Sequence, residues 1–117
     1  SPVGTLESYS PSDDQWTSLK TMPTARGDKA GAVLHSRFHV IGGETKDKEG
    51  NSAPIKDVEV YDPVEKTWQD EGVIPSERFR FMAAALDNVI YICAHMAVHL
   101  VSKWGCTEFW CAGNSNV

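Results

Sequence analysis

A single register of 52 residues maps the first part of this chain onto its second part. Leu6-Glu7-Ser8-Tyr9-Ser10-Pro11 returns as Val58-Glu59-Val60-Tyr61-Asp62-Pro63. Trp16, Pro23, Arg26 and Leu34 return as Trp68, Pro75, Arg78 and Leu86, with no gap needed. Between 6–43 and 58–95, eight of thirty-eight positions are identical, and most others keep apolar or polar character. A period near fifty residues marks stacked supersecondary units, each unable to bury its apolar face alone. No local motif in the chain constrains the fold as strongly.

Within one period the pattern is that of strands. Residues 29–34, Lys-Ala-Gly-Ala-Val-Leu, are small and apolar; His35-Ser36 interrupts, and Arg37-Phe38-His39-Val40-Ile41 runs into Gly42-Gly43. This predicts two short strands joined by a tight turn, the second buried on both faces. The double glycine ends the strand where the chain needs positive φ or a close backbone approach. Glu44 to Lys56 is polar and long for a connection, which predicts a surface loop with a binding role. Asp57 to Tyr61 alternates as a third strand. Asp62-Pro63-Val64-Glu65-Lys66 is a turn, with Pro63 fixing φ and Asp62 able to bond the backbone ahead, and Thr67-Trp68-Gln69 opens a fourth strand. Phe81 to Leu86 and Val89 to Cys93, divided by Asp87-Asn88, begin the next unit. No segment holds a helical period for three turns.

In order, these residues resemble the kelch motif of β-propellers: a double glycine after an apolar strand (Gly42-Gly43), then Tyr61 and Trp68 at the motif's spacing. The Val58-Glu59-Val60-Tyr61-Asp62-Pro63 and Met22-Pro23-…-Arg26 phrases also match, so that the likeness runs over roughly residues 5–95. The resemblance implies an all-β fold, a fragment of a kelch-type propeller built from four-stranded antiparallel blades. Repeat 1 spans about 6–57 and repeat 2, incomplete, about 58–95, so that 1–95 hold kelch repeats. Strand counting gives one full blade (29–70) flanked by an outer pair (about 5–19) and an inner pair (80–93). Gly42, Gly43, Tyr9, Trp16, Tyr61 and Trp68 are then structural, the aromatics packing within and between blades.

The second copy fails at Ala94-His95, where the double glycine should return. Residues 96–117 form a divergent tail without the expected third and fourth strands. A truncated, alternatively spliced or misread end is one explanation, and a divergent cap for the propeller edge is the other. Propellers close with roughly four to eight blades, so further blades are expected outside this chain, which opens on Ser1.

Composition removes several functional classes. A net charge of −5 with scattered basic residues disfavours nucleic acid. No apolar run is long enough for a membrane helix, and no membrane partner is expected. Hydrophobic content of 41% against 23% charged is that of a globular protein. All three cysteines lie late, and Cys93 reads as a small free hydrophobe inside a strand, so a reducing, cytoplasmic setting is expected.

Chemical motifs are sparse. Cys93, His95, Met96 and His99 put four metal-capable side chains in seven positions, but no second cluster completes a site. Cys106 and Cys111 are spaced too widely for the usual redox or zinc-knuckle pair. Asp13-Asp14, Asp47/Glu49 and Asp70-Glu71 fall in polar turns and read as solvated. No catalytic residue, metal site or cofactor is assigned.

The expected function is a non-catalytic protein-binding scaffold or substrate-recognition module, its partner a protein. The resemblance implies contacts through inter-blade loops, here Thr24 to Asp28 and Ser76 to Arg80, and through the long loop. The candidate residues are Arg26, Asp28, Arg78, Arg80, Lys46, Asp47, Lys48 and Glu49, with Arg26 and Arg78, the repeated motif arginines, also read as anchors of loop or blade. Arg80 matches an arginine with which some kelch adaptors grip acidic peptides, and a guanidinium fork suits carboxylate. Asp28 holds the same place in the first repeat, so no repeated basic clamp is present. The alternatives are a fragment of a kelch-propeller enzyme (oxidase, epimerase or specifier type) and a fragment of a ligand-binding extracellular propeller.

Overall fold

A computed structural model describes residues 1–77, 80–94 and 108–110. The small residues of 30–34 and the apolar run of 37–41 form β3 (Ala30–Leu34) and β4 (Arg37–Ile41). His35 and Ser36 join them at φ of 51° and 60°, the signature of a two-residue type I′ hairpin whose twist matches that of its strands. β7 (Asp57–Asp62) and β8 (Thr67–Val73) complete a four-stranded antiparallel sheet in the order β3-β4-β7-β8. Phe38 lies opposite Tyr61 and Val40 opposite Glu59, and a bulge near Asp57 shifts the β7–β8 register before Tyr61 meets Trp68. In the turn between them Asp62 Oδ1 accepts the N–H groups of Val64 and Glu65 at 2.9 and 3.2 Å.

This complete blade is flanked by two partial ones. β1 (Glu7–Ser10) and β2 (Gln15–Ser18) form a two-stranded outer pair. β9 (Phe81–Leu86) and β10 (Val89–Ala94) form an inner pair, and β11 (Glu108–Trp110) adds to β10. The polar stretch expected as a loop contains a further hairpin, β5 (Glu44–Lys46) with β6 (Ser52–Pro54).

The repeat extends to backbone conformation. The described non-glycine residues at positive φ are Asp14, Asp28, His35, Ser36, Lys66, Arg80, Asp87 and Asn88. They form four pairs, each separated by the 52-residue period. Side chains within a pair differ freely, so the left-handed conformation, costing about 1–2 kcal/mol for an L-residue, is imposed by blade geometry.

Alternation along the strands assigns the faces. Ala30, Ala32, Leu34, Ile41, Val58 and Val60 of the full blade pack against Ile74, Phe81, Ile90 and Ile92, making one core between the full blade and the inner pair. The opposite face carries Phe38, Val40, Glu59 and Tyr61. It is tied to the first half-blade by Trp68 Nε1, which donates to Lys20 O at 2.7 Å.

Two expectations need correction. β11 sits beside β10, with Ile90 opposite Trp110, Tyr91 opposite Phe109 and Ile92 opposite Glu108. The tail thus supplies a third strand although it lacks the Tyr-Asp-Pro phrase, because an open strand edge needs only an extended backbone to pair. Cys93 is disulfide-bonded rather than a free thiol, which removes the reducing-compartment argument that rested on it. Among the described residues, no helix is long and apolar enough to cross a membrane.

Candidate protein-interaction site

Antiparallel order brings the connections 19–29 and 42–56 and the described residues 74–77 and 80 to one end of the sheet. Their junction is Gly27, which exchanges both backbone hydrogen bonds with Glu44, at 2.8 and 2.9 Å. Gly43 makes the close approach possible. Its φ is +96°, and a Cβ there would lie 2.5 Å from Gly27 O and 3.0 Å from the Lys29 Cβ. Ile55 N–H donates to Gly43 O at 3.0 Å, closing the base of the β5–β6 hairpin.

Asp47 builds the hairpin tip. Its Oδ1 accepts the N–H groups of Glu49 and Asn51 at 2.9 and 2.8 Å. Asp47 N–H donates to Asn51 O and Gly50 N–H to Asp47 O, each at 3.0 Å. The Asn51 backbone N–H is the main influence holding the Asp47 carboxyl below its ordinary pKa, with the Asn51 side chain and the Glu49 and Gly50 amides adding to it. Ser52 Oγ donates to the Glu44 carboxylate across the strands. Lys46, Lys48 and Glu49 are exposed on this ordered support. A stretch read from sequence as a loop is thus a braced hairpin, shaped by an Asp and a Gly at the turn.

Asp28 and Arg80 stand at the next corner. They occupy the same position in successive repeats, and both are left-handed, at φ of 48° and 56°. Arg80 N–H donates to Asp28 O at 2.8 Å, and Arg80 Nε lies 3.1 Å from Asp28 Oδ2 with both side chains well exposed. The Asp28 that denies the chain a repeated basic clamp is therefore the partner of Arg80.

Arg26 does not belong to this surface. It is 1% exposed, its Nη2 lies 2.8 Å from Glu59 Oε1, and its Nη1 donates to Gly42 O at 3.0 Å and Asp57 O at 2.6 Å. The guanidinium fastens the first connection to the strand ends of the full blade, and burial withdraws it from any partner. The expectation of a contact at Arg26 is corrected to a structural one. Arg78 lies outside the described residues, as do Cys106, Cys111 and three members of the sequence cluster, His95, Met96 and His99. The fourth, Cys93, has its sulfur in a disulfide and offers no thiolate.

Sequence reasoning missed Glu59, the buried counter-ion of Arg26. A signal existed, since Glu7/Glu59 and Arg26/Arg78 are both identical across the repeat. It also missed the Trp68 bond to Lys20. Tyr61 and Trp68 have ring centroids 5.2 Å apart, close to the 5.0 Å of Tyr9 and Trp16. Tyr61 is buried, while Trp16 remains 69% exposed.

Comparison with known proteins agrees with this architecture. The family model described as "Kelch motif" matches residues 25–71. Alpha-scruin of Limulus polyphemus is 35% identical over 96 residues, covering 81% of this chain and 10% of its own. Beta-scruin of the same organism is 37% identical over 95 residues, 79% of this chain and 10% of its own. Kelch repeat and BTB domain-containing protein 3 of Mus musculus is 27% identical over 84 residues, 72% of this chain and 14% of its own. The chain thus spans only about a tenth of the scruins' length. The solved structure titled "Structure of YjhT" superposes with a TM-score of 0.67 at 22% identity, covering 76% of this chain and 27% of that one, a likeness of fold. With the motif on the strands that its spacing requires, and a four-stranded blade built from it, the chain belongs to the kelch-repeat β-propeller family.

Proposed function

We propose that this chain is a non-catalytic protein-binding scaffold whose partner meets the β5–β6 hairpin and the Asp28–Arg80 corner. The observation that carries the reading is the hairpin's bracing. Four exposed or turn-forming residues of alternating charge, Lys46 to Glu49, are held on a strand pair clamped to Gly27 by two backbone hydrogen bonds. Ordering such a segment in advance lowers the entropy lost on binding. Its mixed charge suits a partner surface with both signs rather than a polyanion. At the neighbouring corner Arg80 offers a guanidinium already placed against one carboxylate, a geometry that a second carboxylate could share.

The kelch relatives support a scaffold role through their repeat architecture, and the partner is a protein of unassigned identity. A cytoplasmic setting belongs to this reading, with the Cys93 disulfide as the observation against it. Thiol trapping at the moment of lysis tests that part: the cytoplasmic setting expects an alkylated Cys93, and a Cys93 protected from the trap in its disulfide would refute it.

Quantitative affinity enrichment with the wild type, a Lys46→Ala/Lys48→Ala/Glu49→Ala variant and an Arg80→Ala variant tests the proposal. The reading expects specific partners of the wild type to be depleted by either variant while circular dichroism is unchanged. Identical partner profiles for all three proteins would refute the assignment to this end of the fold.

A further inference from the structure

The β5–β6 hairpin holds one register, with Glu44 opposite Pro54, Thr45 opposite Ala53 and Lys46 opposite Ser52. Ile55 N–H donates to Gly43 O and Asp47 N–H to Asn51 O, each at 3.0 Å. Hydrogen-bonded and non-bonded pairs alternate along an antiparallel ladder, so these two bonds fix the character of every pair between them. Asp47–Asn51 is a bonded pair, and Lys46–Ser52, one step in, is not. The Ser52 N–H therefore points away from β5, as does the position of Pro54, which has no N–H to offer. In the same peptide unit Asn51 O accepts the Asp47 N–H, which polarises the amide and makes the Ser52 proton more acidic. The Asn51 side chain is exposed. Its Nδ2 lies 3.4 Å from Asp47 Oδ2, a loose contact that lets the carboxamide turn toward the following nitrogen.

We propose that Asn51-Ser52 is a site of spontaneous deamidation, an age-dependent modification that unfastens the hairpin tip. Solvent base removes the Ser52 N–H proton, and the nitrogen attacks Asn51 Cγ to form a new C–N bond. The carboxamide nitrogen takes a proton from water and leaves as ammonia, closing a cyclic imide. Water then adds to one of the two imide carbonyls and reopens the ring. Cleavage at Cγ leaves an aspartate. Cleavage at the main-chain carbonyl leaves an isoaspartate, whose backbone runs through Cβ and Cγ. Ser52 favours the attack because its side chain is small. Asn88 is the contrast, since it is followed by β-branched Val89 and its Oδ1 lies 3.1 Å from His35 Nε2. Either product sets a new carboxylate opposite Asp47, and like charges directly opposite destabilise a strand pair. Asp47 is the acceptor that shapes the turn, holding the Glu49 and Asn51 N–H groups at 2.9 and 2.8 Å. Isoaspartate also lengthens the backbone just ahead of β6, which offsets Ser52, Ala53 and Pro54 from their partners. The chemistry belongs to the hairpin itself and needs no partner.

Incubation of the 117-residue chain in warm, mildly alkaline buffer, followed by peptide mass mapping, tests this. The folded chain should lose the Asn51 amide at a rate within several-fold of the synthetic 49–56 peptide, the product separating into aspartate and isoaspartate forms. Asn88 should lag several-fold or more behind. Ser52→Val, which puts a β-branched residue after Asn51, should slow the loss several-fold in the chain and equally in the peptide, where folding plays no part. Hydrogen exchange reads the consequence. The Glu49 and Asn51 amides should lose protection several-fold in Asn51→Asp and in the aged chain, and keep it in Asn51→Gln, with circular dichroism unchanged throughout. An Asn51 that stays intact in the folded chain, an Asn88 that keeps pace with it, or a Ser52→Val peptide that reacts as fast as its parent overturns the site. Unchanged protection in Asn51→Asp and in the aged chain overturns the loosening of the tip.

Discussion

Removing the Arg26 guanidinium tests the junction on which the candidate site rests. In Arg26→Met, Glu59 loses a counter-ion at 2.8 Å in a place where neither side chain meets much solvent. Breaking a buried pair from one side costs about 3–5 kcal/mol. The Gly42 and Asp57 carbonyls also lose their guanidinium donor. Asp57 O keeps the Gly42 N–H at 3.0 Å, so one carbonyl is left without that replacement, adding about 1–3 kcal/mol. The charge contact itself is imperfect. Arg26 Nη2 and Glu59 Oε1 touch without hydrogen-bond alignment, and Nε has no acceptor, which places the total near the lower end, about 4 kcal/mol. Glu59→Gln, which removes the charge and keeps the shape, should cost about 1–2 kcal/mol. In the double variant the penalties should fall short of additivity by about 1–2 kcal/mol, since the residues are in contact. Urea unfolding followed by tryptophan fluorescence, at a concentration where the chain is monomeric, measures all four corners of the cycle. An Arg26→Met cost below about 1 kcal/mol, or strict additivity with Glu59→Gln, would refute the argument that Arg26 is a buried fastener.

Two further outcomes concern the interior. Burial is the main influence lowering the His39 pKa below 6.5, with Glu71 and the Arg37 carbonyl opposing it and His35 and Arg37 adding to it. The unfolded chain then binds more protons than the fold just below pH 6.5, so stability is full above that value and falls as pH drops through it. His39→Phe should flatten the change in urea midpoint between pH 7.5 and pH 5.5, and an unchanged slope would exclude His39 as its source. Trp68→Phe removes the bond from Nε1 to Lys20 O and should cost about 1 kcal/mol. Trp16→Phe, at the equivalent exposed position, should cost less than about 0.5 kcal/mol. Equal losses in thermal unfolding of the monomers would show that the half-blade is packed like the whole one.

Legibility from sequence depends on the residue. The strands of 30–34, 37–41 and 57–61 were readable because alternation and turn residues act over a few positions. The β5–β6 hairpin was not, because its polar sequence has no apolar period and its order comes from Gly27, some seventeen residues away. The two readings of Arg26, partner contact and anchor, could not be separated from sequence for the same reason. Its charge is visible in the sequence, but its counter-ion Glu59 arrives from β7.

The repeating unit itself is written in the order of residues: strand succession, turn type, and the positions that must be left-handed. These depend on short-range sterics and on a period that survives changes of side chain, as Asp28 against Arg80 demonstrates. What each equivalent position touches was settled only by the packing of blade on blade. Ala30 is buried and Met82 exposed, Tyr61 is buried and Tyr9 exposed, although the members of each pair occupy the same place in successive repeats. The physical reason is that burial belongs to the neighbouring blade and not to the residue, and the number of neighbours changes along the chain.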